Sequence, residues 1–201
     1  QIEYKTQVTQ KDEVKTVSIY VDSILSNQWI VYANSCYTIN NNTTITWYDA
    51  SCGLDVTIPA TIYGKTISAI WSYAFNNVGI QSVVIPSTIT NVGIYAFAFN
   101  RNNQISSIVI PNSITSIEEW AFVNNQLTSV TIPSSVTNIG GGISGGAFQY
   151  NQLTSITIPS SVTNIGERAF QNNELTSVTL PSSVTNIGSE AFRDQTNSLG
   201  N

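Results

Sequence analysis

From residue 54 onward, apolar residues recur at fixed distances with short polar residues between them. In Leu127-Thr128-Ser129-Val130-Thr131-Ile132-Pro133 the apolar positions are 127, 130 and 132. Val130 and Ile132 alternate with Ser129 and Thr131, which is the period of a short strand with one face turned inward. Pro133 ends that strand, because its nitrogen has no proton to give to the next rung. Val136 and Ile139 are apolar again, with Thr137 between them, and predict a second short extended segment; Gly140 then turns the chain. Nearly the same string runs over 153–166 and again over 175–188. A unit written three times in close copy sets the architecture before any local propensity does.

The looser copies extend the pattern. All six prolines (Pro59, Pro86, Pro111, Pro133, Pro159, Pro181) lie here, and each is followed by an Ala-Phe pair, at 74–75, 96–97, 121–122, 147–148, 169–170 and 191–192. Eleven residues separate Phe122 from Pro133 and eleven separate Pro159 from Phe170, so the period is 22. Longer steps mark insertions around Tyr63-Gly64-Lys65, around Asn100-Arg101-Asn102 and within 140–146. A single turn of this kind covers nothing above or below itself, whereas stacked turns share a continuous core. Six turns at roughly 4.8 Å predict a stack roughly 29 Å tall. Phenylalanine is expected to fill the interior where the coil bends, with alanine permitting close approach. Asn125, Asn151 and Asn173 lie two residues before a leucine, where a carboxamide bonds backbone groups at the turn into the strand.

The first 53 residues follow another pattern. Val14, Val17, Val21, Ile24 and Leu25 fall on one face at helical spacing, and Thr9 with Asp12 resembles a capping box, which predicts a helix within 1–28. The alternation of Val17, Ile19 and Val21 favours a strand instead. Over 29–53, β-rich runs flank Asn40-Asn41-Asn42 and read as a hairpin covering the first turn of the stack. Cys36 and Cys52 lie near its open end. In a chain of this composition they read as one disulfide formed in an oxidising compartment, the alternative being two buried thiols. The expected organisation is thus 1–28 helix, 29–53 disulfide-bearing hairpin cap, and 54–201 solenoid of six turns.

Composition narrows the function. Charged residues make up 9% of the 201, net charge is −5, and histidine and methionine are absent. An acidic chain is poorly suited to nucleic acid, and two cysteines without histidine make half a zinc site. No metal or other cofactor is expected. No apolar run is long enough to span a bilayer. Seven of the nineteen charged residues fall within 1–26, a shift that marks an organisational boundary. The chain opens on Gln1 with neither an initiator methionine nor a signal peptide, which implies a removed leader or a piece of a longer sequence.

The unit L-T-S-V-T-I-P-S-S-V-T-N-I-G-x-x-A-F-x-x-N resembles the BspA-type leucine-rich repeat of bacterial and protist surface proteins, over about residues 54–192. That resemblance implies a right-handed solenoid with a parallel sheet on one side and a secreted or surface-displayed binding module, often an adhesin, without catalysis. Ile70-Trp71, where the unit has Ile-Gly, and the insertion over 140–146 depart from it. More weakly, an amphipathic helix over 1–28 ahead of a disulfide-bearing head is similar to a type IV pilin or pseudopilin without its hydrophobic N-terminal half, although no prepilin cleavage motif is present.

Two surfaces are candidates for contact. Outward strand positions form hydroxyl columns, Ser82, Ser107, Ser129, Ser155 and Ser177 beside Thr131, Thr157 and Thr179, suited to glycan or protein through many weak hydrogen bonds, or simply to solubility. The residues before the first three Ala-Phe pairs, Tyr73, Tyr95 and Trp120, should stack as a stripe; aromatics are enriched at binding hot spots, and equally they shield a turn. Glu167 and Glu190, one turn apart, are the nearest thing to the carboxylate pair of a glycosidase. The function expected is a non-catalytic, extracellular or cell-surface module that binds protein or glycan on another cell or matrix. The second reading is a pilin-like subunit that meets filament partners through 1–28; the third is a polysaccharide-acting β-helix enzyme.

Overall fold

The structure is a computed structural model that describes residues 2–10, 13–21, 36–40, 43–98, 105–140 and 145–195. Its N-terminal stretch corrects the helix expected within 1–28. Ile2–Gln10 and Glu13–Val21 are antiparallel strands, paired from Ile2 opposite Val21 to Gln10 opposite Glu13. The reason is side-chain stiffness: Val14, Thr16, Val17, Ile19 and Val21 are all β-branched, which disfavours helix and suits a pleated strand. The preceding segment supplies a mate, which a helical-period count cannot register. Residues 22–28, and the run 29–32 of the expected hairpin, lie outside the described residues. The likeness to a pilin depended on that helix and loses its footing with it.

The hairpin around the asparagine cluster is formed by Tyr37–Asn40 and Thr44–Tyr48, antiparallel with a bulge between Thr38 and Ile39. Thr44–Tyr48 also pairs in parallel with Ala69–Ile70, which pairs with Asn91–Val92, so the hairpin closes one end of a solenoid sheet. Cys36 and Cys52 are joined, with a Cα–Cα distance of 5.6 Å. A closed loop of that size stabilises by roughly 3 kcal/mol, mainly through the unfolded chain. Asp49 caps the 3-10 turn Ala50–Cys52 by accepting from the Ser51 amide at 2.9 Å. Two phenols latch the cap: Tyr48 donates to the Gly53 carbonyl at 2.8 Å and Tyr37 to the Thr57 carbonyl at 3.1 Å.

Burial, reinforced by the neighbouring Tyr48, pushes the Tyr37 phenol up to about 12. Burial, and then the Asp49 carboxylate, raises Tyr48. A pKa raised on folding means stability that is complete below the ordinary tyrosine value of 10.0 and lost as pH climbs through about 12. Ultraviolet titration of the folded protein should therefore show phenols ionising above the usual tyrosine range, together with loss of cap structure by circular dichroism. Ionisation of Tyr37 and Tyr48 below pH 10 with the cap intact would contradict this.

The remainder is the expected coil. Asp55–Thr57, Ser82–Val84, Ser107–Val109 and Ser129–Thr131 form one parallel sheet, and the same position on later turns forms a separate parallel bridge between Thr157 and Thr179. On another side, the two-residue strands Ser116–Ile117, Asn138–Ile139, Asn164–Ile165 and Asn186–Ile187 pair in parallel, like position on like. The insertion at 61–66 is a small antiparallel hairpin turned by Tyr63 and Gly64, both at positive φ (51° and 72°), as a tight two-residue loop requires. The other two insertions fall largely on residues 99–104 and 141–144, outside the described ones.

Inside, Phe75, Phe97, Phe122, Phe148, Phe170 and Phe192 form one column, with ring centroids 5.0–5.5 Å apart and near-parallel planes. Tyr48 extends it at 5.2 Å from Phe75, so the cap continues the core as well as the sheet.

Strands this short leave many carbonyls without a ladder partner, and side chains fill the gap. Asn151 Nδ2 donates to the Phe122 and Phe148 carbonyls, both at 3.0 Å, while its Oδ1 accepts the Leu127 amide at 3.1 Å. Asn173 repeats this one turn on, and Gln195 takes the role at the last described turn. Ser135 and Ser161, and Thr137, Thr163 and Thr185, each donate to a carbonyl of the previous turn. The abundance of Ser, Thr and Asn in the unit is largely this turn-to-turn hydrogen bonding.

Candidate functional site

The aromatic stripe is built at the Ala-Phe turn. Tyr73, Tyr95 and Trp120 adopt left-handed backbone, with φ of 65°, 58° and 58°. Arg168 and Glu190 hold the same conformation at the same position, with φ of 54° and 58°. Such a conformation costs a non-glycine residue roughly 1–2 kcal/mol, and nothing in a Tyr-Ala-Phe or Trp-Ala-Phe string announces it. The following alanine is fully buried at each of these turns but the last, where it is 3% exposed, and the turn aims the preceding side chain along the stack. Tyr73 lies on Tyr95 at 4.9 Å and 13°, and Tyr95 on Trp120 at 5.5 Å and 10°. Tyr95 thus has a ring on either face, and Tyr73, 54% exposed, ends the stripe. Burial, then Tyr73, then Glu119 raises the Tyr95 pKa.

The stripe ends for a steric reason. A Cβ on Gly145 would fall 1.8 Å from the Trp120 indole, and one on Gly146 would fall 1.7 Å from the Arg168 carbonyl oxygen. Beyond the glycines the column becomes ionic: Arg168 Nε donates to Glu190 at 2.7 Å, Arg168 also meets Glu167 at 3.1 Å, and Arg193 reaches Glu190 at 2.5 Å. Hydrogen bonds from Arg168 and then Arg193 hold the Glu190 carboxyl below its ordinary range. The two carboxylates that sequence reasoning paired are thus bridged by a guanidinium. A carboxyl held ionised in this way is a poor proton donor for glycoside cleavage.

The hydroxyl columns lie elsewhere, on the outward face of the three-residue strands. Ser129, Thr131, Ser155, Thr157, Ser177 and Thr179 are all exposed, with Ser129 in register with Ser107 and Thr157 with Thr179. The stripe and the hydroxyls belong to different sides of each turn. The columns are also less uniform than the three close copies imply. Val84 and Val109, 56% and 72% exposed, occupy the Thr131 position on the second and third turns, whereas Thr57 holds it on the first, so an aliphatic pair interrupts the hydroxyl column. At Ser82 the hydroxyl donates to Asp55 at 2.7 Å.

Among the described residues, no helix is long and apolar enough to cross a membrane. Parallel short strands on one side, turns stacked at one repeat length and a Leu/Ile/Phe interior define a leucine-rich-repeat solenoid. The chain belongs to the BspA type leucine-rich repeat family, whose repeat region matches six copies over residues 27–143 and 68–199. It is similar to a leucine-rich cell surface protein of Faecalibacterium prausnitzii, at 30% identity with a TM-score of 0.56, covering 82% of this chain and 52% of that one. A leucine-rich repeat protein of Bacteroides ovatus shares the fold at 24% identity and a TM-score of 0.62, over 96% of this chain and 44% of the other. One from T. pallidum does so at 23% and 0.55, over 78% and 83%. The chain spans about half the length of the first two. No functionally curated protein matches it.

Proposed function

We propose that this chain is a non-catalytic module, displayed on the cell surface or secreted, that holds a protein or glycan of another cell or matrix along the outside of its solenoid. It is organised as an N-terminal segment over 1–28, a disulfide-bearing cap over 29–53 and a six-turn stack over 54–201. The observation that carries the reading is the stripe of Tyr73, Tyr95 and Trp120, ordered before any partner arrives by left-handed backbone and mutual stacking. Side chains already immobilised lose little entropy on binding. Ser129, Thr131, Ser155, Thr157, Ser177 and Thr179 offer a second, hydroxylic contact face. Its likeness to a cell surface protein and the disulfide support the location.

Replacing Tyr73, Tyr95 and Trp120 together by serine tests the stripe. Adhesion of the purified protein to cells and to matrix-coated surfaces should fall by about thirtyfold or more, the scale of one lost hot spot, with the far-ultraviolet circular dichroism retained. Unchanged adhesion of the folded variant removes the stripe as the site. A comparable loss from Thr131→Lys with Thr157→Lys instead would move contact to the strand face.

A further inference from the structure

We propose that the cleft beside Trp71 is a subsite for one neutral sugar ring of a glycan. The cleft comes from a side chain cut short at Ala69, where the unit has asparagine, beside the glycine that the unit keeps at Gly93. In register along one column lie Thr44, Ala69 and Asn91, and further on Ser116, Asn138, Asn164 and Asn186. In the later turns the column is a hydrogen-bonded ladder: Asn138 donates to Ser116 at 3.2 Å, Asn164 to Asn138 and Asn186 to Asn164. Ala69 has no polar tip to continue it. Two residues on, Gly93 has its backbone against the turn below, where a Cβ would come within 2.5 Å of the Ser72 amide nitrogen. The absent side chains leave a cleft of about 230 Å³, bounded by Thr44, Ala69, Trp71, Ser72, Asn91 and Gly93.

The chemistry of the walls selects the ligand. Trp71 stands where four of the other five turns carry glycine (Gly93, Gly140, Gly166 and Gly188) and the remaining one Glu118, is 56% exposed, and has no ring partner among the described residues. In that respect it differs from the stripe, where each ring is stacked on at least one other. The hydroxyls of Thr44 and Ser72 and the carboxamide of Asn91 have no hydrogen-bond partner among the described residues, and none of the lining residues is charged. A charged ligand finds no counterion here. An aromatic peptide side chain would cover the indole and leave three polar groups buried without partners, each at a desolvation penalty. A pyranose presents C–H groups on its face and hydroxyls at its rim, which meets both halves of the site. The cleft is smaller than the roughly 300–1,000 Å³ of sites for drug-sized ligands, and so suits one ring.

The test uses the intact chain, labelled so that its four tryptophans (Trp29, Trp47, Trp71, Trp120) report by their indole N–H resonances. The probes are the methyl glycosides of glucose, galactose, mannose and N-acetylglucosamine, with N-acetylphenylalaninamide as the peptide control. At least one glycoside should shift the Trp71 signal saturably in the millimolar range and leave Trp47 and Trp120 unmoved. Trp71→Ala should weaken binding at least about tenfold and Asn91→Ala about fivefold. Ala69→Asn restores the column's carboxamide and fills the cleft, so it should abolish the shift while the Trp71 signal persists. No glycoside response, a response that survives Ala69→Asn, or one given by the peptide control alone would each overturn the proposal. The triple-serine stripe variant should keep the sugar response while losing adhesion, so the two sites fail separately.

Discussion

Phe148→Ala should lower unfolding stability by about 3–5 kcal/mol, the usual loss for a buried phenylalanine whose space cannot collapse. Phe148 is fully buried and stacks on both sides, 5.4 Å from Phe122 and 5.5 Å from Phe170. In a stack, each turn is stabilised by its neighbours, so a gap here also cuts the molecule into two poorly coupled parts. Thermal unfolding followed by two probes, tryptophan fluorescence near the cap and circular dichroism for the whole chain, should no longer coincide. Phe192→Ala is the control. That ring has an aromatic neighbour on one side only among the described residues and is partly exposed, so it should lose less than half as much. Equal losses at the two positions would mean that the column is not one continuous core.

Asn151→Ala should destabilise by about 3 kcal/mol or more although it removes no apolar area, because it strands buried backbone groups. The Phe122 and Phe148 carbonyls and the Leu127 amide would all lose the carboxamide. Asn173→Ala should match it, since its bonding is the same one turn later. Asn125→Ala should cost less: its amide donates to the Phe97 and Phe122 carbonyls, but its Oδ1 accepts from none of the described residues. Asn151→Asp is the sharper variant, because it sets a carboxylate oxygen against two carbonyl oxygens. Its folded-state pKa must rise above the unfolded value, so its stability should recover as pH falls and the carboxyl regains a proton to donate. Equal stability of all the variants in denaturant titration would show that the column is decorative.

Much of this was legible in the sequence because a repeat multiplies a weak signal. One Ala-Phe pair says nothing; six at near-constant spacing place Phe122, Phe148 and Phe170 in one interior, where they are. Asn125, Asn151 and Asn173 declared a bonding role through their fixed distance from the next leucine. The paired cysteines and the hairpin at the asparagine cluster were equally open to reading. The N-terminal stretch was not, because Glu13–Val21 carries both a helical and an alternating pattern, and the deciding term is a partner strand several residues away.

Residue order alone determined the coil, its period, its inward and outward positions and its six-turn extent, since these follow from spacing and polarity that each copy states for itself. Only the tertiary structure decided what the departures from the pattern do. Left-handed backbone at Tyr73, Tyr95 and Trp120, the glycines that close the stripe, the guanidinium between Glu167 and Glu190 and the cleft opened by Ala69 and Gly93 all depend on what the adjacent turn places opposite a residue. That neighbour is some 22 positions away in the chain and one strand spacing away in space, so its effect is set by contact between turns and not by local propensity.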